Sequence, residues 1–233
     1  MRLMLATLIL LATSACRQDE APAEKIEQTA EQLIEPDARP TPLARGRFAP
    51  HDDCADVAGA ANFRAQLSRA VEARDAAAMA GLAASDIKLD FGGGSGVAEL
   101  QRRLADPQQD LWAELSAILP LGCAADESGG VMIPWIAAQD LGDRDPFYSM
   151  LVLGEGVPVR SAPAAGAPEI GKITWDLVQI SSLQPGAAFQ QIKLPDERSG
   201  FIASDMLRSP VDYRLTASSR NGKWSITSLV SGD

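Results

Sequence analysis

Histidine is nearly absent from this 233-residue sequence, in which His51 is the only one. Cysteine is also scarce, with Cys16, Cys54 and Cys123. A structural zinc site needs about four nitrogen or sulfur ligands, and Cys16 lies in what reads as an export signal, so too few soft ligands remain. The acidic run 140–145 lacks the D-x-D-x-D spacing and the later Glu of a calcium loop, and it is typical of a solvated turn. The sequence therefore predicts no metal site and no cofactor.

The motifs of common catalytic sites are missing too. The chain has no G-x-S-x-G nucleophile turn, no P-loop Gly-Lys-Ser/Thr and no G-x-G-x-x-G. The run 92–96 (GGGSG) follows a predicted strand and precedes a predicted helix, but without those spacings it favours a tight turn over a phosphate site. His51 stands beside Asp52 and Asp53 at the edge of a linker and is a poor candidate base. We expect no enzyme, although a carboxylate pair for glycoside cleavage stays open because such pairing is three-dimensional.

Basic residues are fewer than acidic residues, and the difference varies along the chain. The net charge is −10, and residues 51–148 alone contain sixteen acidic and seven basic residues. Residues 149–233 contain eight of each sign. An acidic surface repels phosphate backbones, so nucleic acid is not expected as a partner.

Long apolar runs are confined to the N-terminus. Residues 1–16 combine Arg2, an apolar run and small residues before Cys16, which is typical of a signal peptide and too short for the roughly 20 residues of a membrane span. The run Leu-Ala-Thr-Ser-Ala-Cys resembles the bacterial lipobox, although Thr13 stands where that motif usually has Leu. The resemblance implies lipidation of Cys16, and Arg17 after it favours the outer membrane. Ordinary cleavage after Ala15, giving a soluble periplasmic protein, is the alternative.

Export leaves Cys54 and Cys123 in an oxidising compartment. An even pair there favours a disulfide, which would contribute about 4 kcal/mol in the chain-entropy model. Two separate buried thiols are the alternative.

Residues 17–50 are rich in Ala, Glu, Gln and Pro and carry few large apolar residues. Such a stretch buries too little surface to offset its ordering entropy, so we expect a disordered tether. In 51–148 the apolar residues have helical spacing, Asp75 is a predicted N-cap, and a predicted helix restarts at Pro107. This region is predicted to be a helix-rich α+β domain.

Beyond Gly130 the pattern changes to short strands, starting with 131–136. Strands at this spacing over 149–210 indicate a small barrel. Asn221-Gly222 lies between two alternating runs and predicts a β-hairpin over 211–233.

Residues 150–208 resemble the bacterial SH3-like domain. The features are the opening VPVRSAP at 157–163, the apolar-Gly turn at 170–171, a strand that begins with aromatic Phe189 and the closing GFI at 200–202. Pro158 and Phe201 depart from the family pattern, and Phe201 replaces its closing Trp. The resemblance implies a small all-β barrel that binds cell wall or a protein, with Phe189 and Phe201 as candidate binding residues.

Residues 62–100 with 211–233 are similar to the cystatin-like α+β fold of the nuclear transport factor 2-like superfamily. The features are the order helix, Arg74-Asp75-Ala76, helix, strand, and a closing hairpin with Asn221-Gly-Lys-Trp224. The resemblance implies that the barrel is inserted before the final hairpin. The alternative is that this hairpin extends the barrel.

Tryptophan is rare, and each of the four is isolated: Trp112, Trp135, Trp175 and Trp224. Isolated tryptophans more often fill a core than line a sugar groove. Trp135 follows Pro134, which indicates an edge position, and it is therefore a third candidate binding residue.

The combined prediction is a non-catalytic envelope lipoprotein on the periplasmic face of a membrane, with peptidoglycan or an envelope protein as partner. A small-ligand-binding or enzymatic α+β domain and a purely structural envelope component are the alternatives.

Overall fold

The computed structural model of the protein describes residues 46–194 and 198–232, all within one compact unit. The expected signal, Cys16 and the expected tether up to residue 45 lie outside the described residues. The described part is of the mixed α+β class, with four α-helices and two sheets of five and seven strands. The prediction of an α+β class is confirmed. No helix in this part has the length and apolar character required to cross a bilayer.

The helices precede most of the strands. They are α1 (Ala60–Glu72), α2 (Ala76–Leu82), α3 (Val97–Ala105) and α4 (Leu111–Ile118). In α1, Phe63 and Leu67 stand four residues apart and are both buried, as an amphipathic helix requires. Asp75 caps α2 as predicted, because its Oδ1 accepts hydrogen bonds from the backbone N–H groups of Ala77 and Ala78 at 3.0 and 2.9 Å.

Two elements begin or end elsewhere than predicted. The helix expected from Pro107 begins at Leu111, because Asp106 Oδ1 accepts a hydrogen bond from the Gln108 N–H at 2.9 Å and holds a turn. The strand expected over 131–136 ends at Ile133, where Pro134 has no N–H to donate to a neighbouring strand.

The described strands form two separate sheets. In chain order they are β1 (Ala83–Lys88), β2 (Ala124–Ala125), β3 (Val131–Ile133), β4 (Ser149–Val152), β5 (Val157–Arg160), β6 (Glu169–Ile173), β7 (Leu177–Ile180), β8 (Phe189–Lys193), β9 (Ser199–Ala203), β10 (Leu207–Arg208), β11 (Arg214–Arg220) and β12 (Lys223–Val230). The five-stranded sheet has the order β1-β12-β11-β3-β2 and the seven-stranded sheet the order β10-β4-β7-β8-β9-β5-β6.

The last two strands form the predicted hairpin, in the middle of the five-stranded sheet. Its turn residues Asn221 and Gly222 have φ of 55° and 77°, the left-handed conformations of a tight hairpin turn. Strand β12 pairs in parallel with β1, and β11 pairs with β3. The hairpin therefore completes the helix-bearing sheet and does not extend the other one.

The interior between the helices and the five-stranded sheet is filled with side chains. Apolar residues of α1 to α4, β1, β3, β11 and β12 form one buried cluster. Its fully buried members include Met79, Leu100, Ile87 and Ile226. Such a core holds the sheet rigidly against the helices.

The seven-stranded sheet is open. Its inward side chains from β4, β5, β7, β8, β9 and β10 form a second buried cluster, so the sheet is curved. Its end strands β10 and β6 do not pair with each other in the described residues, so the expected closed barrel is not formed. Strand β10 is only two residues long, and β6 carries the exposed Glu169 and Lys172. Neither edge offers a long apolar strand for closure.

Residues 46–54, here called the strap, connect the two sheets. Phe48 is only 3% exposed and packs with Ile136, Leu151 and Leu177, and its N–H donates to the Trp175 carbonyl at 2.8 Å. The folded part therefore begins before residue 51, where the sequence predicts the end of the tether. Burial of the Phe48 ring is the physical reason for this difference.

The predicted disulfide between Cys54 and Cys123 is present, and it fixes the last residue of the strap to Cys123. Both cysteines are fully buried. The Cys123 N–H donates to the His51 carbonyl and the Asp53 N–H to the Cys123 carbonyl, each at 2.8 Å. Gly122 permits this close approach, since a Cβ there would lie 2.2 Å from the His51 oxygen.

Candidate functional site

A groove of about 490 Å³ runs over the outer face of the seven-stranded sheet, and is here called the barrel-side groove. Side chains alternate along β8, so Gln190 and Ile192 are buried inside while Phe189 points outward. Phe189 pairs with Ala203 of β9, which places both on the same face. The apolar lining residues are Leu153, Val157, Pro158, Ala165, Phe189, Ala203 and Met206.

Three charged side chains line the same groove. Arg160 carries a guanidinium, and Glu155 and Asp205 carry carboxylates. Arg160 Nη1 donates to the Ala167 carbonyl at 2.8 Å, which fixes the position of the guanidinium while its other N–H groups can still donate. An apolar floor with a few placed charges is typical of a binding site, and the volume lies within the usual range of roughly 300–1,000 Å³.

The turn 154–156, at one rim of the barrel-side groove, is held by hydrogen bonds of its backbone. Gly154 and Gly156 have φ of 127° and 61°, which favour glycine. The Gly156 N–H donates to Thr174 Oγ1 at 2.8 Å, and the Trp175 N–H donates to the Gly154 carbonyl at 3.0 Å. The rim is therefore tied to the segment that leads into β7.

The two candidate phenylalanines lie on one face, but only Phe189 lines the groove. Phe201 is opposite Gln191 of β8 and Arg160 of β5. Paired residues share a face of the sheet, so Phe201 is beside the groove and next to the Arg160 that lines it.

Trp135 lies elsewhere, against the strap. Its ring centroid is 4.7 Å from that of His51, and its Nε1–H donates to Asp53 Oδ2 at 2.6 Å. It packs against the cluster that contains Phe48. The indole N–H is thus already used within the protein, and the structure does not bring Trp135 together with Phe189.

Sequence reasoning missed Met206, Leu153 and Ala165, which come to the groove from three separate connections. Met206 is 40% exposed, but single exposed apolar side chains are common on protein surfaces, so its exposure does not mark a site. In the sequence, Met206 is only an apolar residue that follows a strand. Its distance along the chain from Phe189 matches no pattern that would predict a shared groove.

The backbone N–H groups of the glycine run at 92–96 bind a carboxylate of the protein itself. The Asp90 carboxylate accepts hydrogen bonds from the N–H groups of Gly92 and Gly94 at 2.8 and 2.7 Å, and it also pairs with Arg103. The hydrogen bonds from Arg103 and Gly94 hold the pKa of Asp90 below its usual value. These N–H groups are therefore occupied, as the tight-turn interpretation requires.

Glu99 of α3 belongs to the same cluster. Arg102 Nε and Nη2 and Arg103 Nε donate to its oxygens at 2.7 Å. The hydrogen bonds from Arg102 and then Arg103 lower its pKa from 4.5 to about 2. Both guanidiniums neutralise a carboxylate here, which indicates a structural ion-pair cluster rather than a general acid.

Two carboxylates of the acidic run 140–145 also bind their own backbone. Asp140 Oδ1 accepts from the Gly142 N–H at 2.8 Å and Asp145 Oδ1 from the Phe147 N–H at 2.9 Å, so both stabilise turns. Asp52 lies close to the sulfur atoms of Cys54 and Cys123, but these are bonded to each other and are not available as metal ligands.

No protein-family model and no curated protein matches the chain. The barrel-side groove is the site that contains a candidate binding residue, Phe189, on an accessible face.

Proposed function

We propose that the protein is a non-catalytic envelope lipoprotein, anchored through Cys16 and joined by its tether to a folded part that binds peptidoglycan or an envelope protein. The binding module is the SH3-like region at 149–210, in the form of an open curved sheet. Export, anchoring and the kinship of this module rest on the sequence motifs. The location is the periplasmic face of a membrane, with the outer membrane favoured.

The barrel-side groove is the observation that carries the binding proposal. Phe189, Pro158 and Met206 give it an apolar floor, and Arg160 and Asp205 bring opposite charges to it. An extended peptide segment with an apolar side chain, a free carboxylate and an ammonium group matches these groups. Wall stem peptides and protein segments both have this chemistry.

The test is co-sedimentation of the full-length chain with isolated peptidoglycan sacculi. Ala165 is exposed and lines the groove, so Ala165→Trp fills the groove without disturbing the core. We expect saturable binding by the wild type and a loss of about tenfold or more in affinity for the variant, because a bulky side chain excludes the ligand.

Ala164→Trp is the matched control, since Ala164 is equally exposed and does not line the groove. The control should bind as the wild type does. Equal loss in both variants, or none in either, would contradict the assignment of the groove. Absence of wall binding by the wild type would leave an envelope protein as the partner, to be sought by cross-linking at Ala165.

A further inference from the structure

A second groove lies on the helix-bearing half of the protein and is here called the helix-side groove. It consists of two cavities of about 300 and 530 Å³ that share Gln66, Gly81 and Leu82 as lining residues. The smaller cavity lies between α1, α2 and the turn of the final hairpin, and the larger one continues between α1 and α2. The lining residues follow helix α1 from Gly59 before its start to Ala73 after its end, which suits a linear ligand.

An aromatic ring is fixed in the wall of this groove. Trp224 stacks on the buried Phe63, with ring centroids 5.5 Å apart and planes 24° apart. Its Nε1–H donates to the Ala58 carbonyl at 3.1 Å, and Gly59 leaves space for the indole, since a Cβ there would lie 2.8 Å from Nε1. The ring is thus held in position, and its half-buried remainder lines the groove.

Polar side chains follow the same edge of the groove. Asn62 and Gln66 are exposed on α1 four residues apart, which places both on one face, and Arg69 continues that edge one turn further on. Lys223 lines the groove beside Trp224. Side-chain amides both donate and accept hydrogen bonds, whereas the cations only donate.

We propose that the helix-side groove binds a glycan chain. Sugar rings present apolar C–H faces that pack on an indole, and their hydroxyl groups donate and accept like the amides of Asn62 and Gln66. An elongated groove accommodates successive sugar units. Nucleic acid fits this groove poorly, because Asp75 lines it and the region 51–148 is strongly acidic.

This site is independent of the barrel-side groove. If both proposals hold, the protein contacts two chemical components of one polymer, a peptide through one half and a sugar chain through the other. The sugar tetramer used below carries no peptide, so its binding tests the helix-side groove alone, whatever the outcome for the barrel-side groove.

The experiment is a titration of the full-length chain with the β-1,4-linked tetramer of N-acetylglucosamine, followed by calorimetry. Gly81 is a suitable position for a substitution that fills the groove. A Cβ there meets nothing within 4 Å, and the residue is exposed in helix α2. Gly81→Leu therefore extends into the groove and also favours the helix. We expect saturable binding by the wild type and about tenfold or greater weakening in this variant.

Ala77→Leu is the control, since Ala77 is exposed on the same helix and does not line either cavity. It should bind the tetramer as the wild type does, and so should Ala165→Trp in the other groove. No saturable binding by the wild type, or equal binding by Gly81→Leu, would overturn the proposal. Asn62→Ala should also weaken binding, and circular dichroism verifies that each variant is folded.

Discussion

Glu99 shows how a single side chain makes the fold sensitive to acid. Its pKa is lowered to about 2 by hydrogen bonds from Arg102 and Arg103. A group whose pKa is lower in the folded state stabilises the fold above its unfolded value of 4.5, and this contribution is lost as the pH falls toward 2. Asp90 and Asp126 act in the same direction.

We expect Glu99→Gln to reduce the fall in the free energy of unfolding between pH 4.5 and pH 2. The amide does not titrate, so the proton uptake of Glu99 on unfolding disappears. Urea denaturation at several pH values measures this. Glu127→Gln, a change at an exposed glutamate outside the cluster, serves as control and should leave the pH profile as it is. Identical profiles for Glu99→Gln and wild type would refute the assigned role.

At the scale of elements, the strap is the segment that holds the molecule together across its two sheets. Phe48 packs on Leu151 and Leu177 of the seven-stranded sheet and on Ile136, which follows β3, and the disulfide ties the end of the strap to Cys123 before β2. Arg208 of the short β10 adds a second connection, since its guanidinium lies 3.2 Å from Glu114 of α4 and 3.3 Å from Asp212. Loss of the strap should therefore affect both halves.

Reduction of the disulfide should lower the melting temperature of the whole folded part. The cysteines are 69 residues apart, and closing a loop of that size contributes about 4 kcal/mol in the chain-entropy model. Calorimetry with and without reductant measures the change. The double variant Cys54→Ala with Cys123→Ala should melt at one temperature in both conditions, and an unshifted wild type would contradict a stabilising bond.

Several elements were predictable from local sequence because their cause is local. Asp75 caps its own helix, and Asn221-Gly222 adopts the turn that its residue types favour. The Cys54–Cys123 bond joins residues 69 apart and was predictable for a different reason, because only one pair of cysteines remains after Cys16. The α+β class was predictable from the helical spacing of apolar residues in 51–148 and from the short strand patterns beyond Gly130.

The rest depends on contacts distant in the chain. The open edge of the seven-stranded sheet, the burial of Phe48 and the lining of the barrel-side groove by Met206 arise from tertiary packing. Periodicity reports which face of an element is apolar, but it does not report what covers that face. Trp135 is an example, since its partner Asp53 lies 82 residues away.

At the scale of the whole molecule, the proposed anchor at Cys16 would place both grooves at the surface of a membrane. Labelled palmitate should enter the wild-type chain when it is expressed in a bacterium and not Cys16→Ala, because lipid transfer needs the thiol of that cysteine. Two or more acyl chains hold a protein firmly, since each buried CH₂ contributes about 0.8 kcal/mol. Equal labelling of both proteins would contradict the anchor and leave ordinary signal cleavage.

The position of the strap gives it a mechanical role in an anchored protein. If Cys16 anchors the chain and the folded part binds the wall, a pull between membrane and wall reaches the buried Phe48 and then, six residues further on, Cys54. There the load passes through a covalent bond into Cys123, next to the helices, before it can peel a strand from either sheet. In the reduced protein the same force would act only on the hydrogen bonds of the strap and on the buried Phe48, so a strap without its disulfide should detach at a lower force.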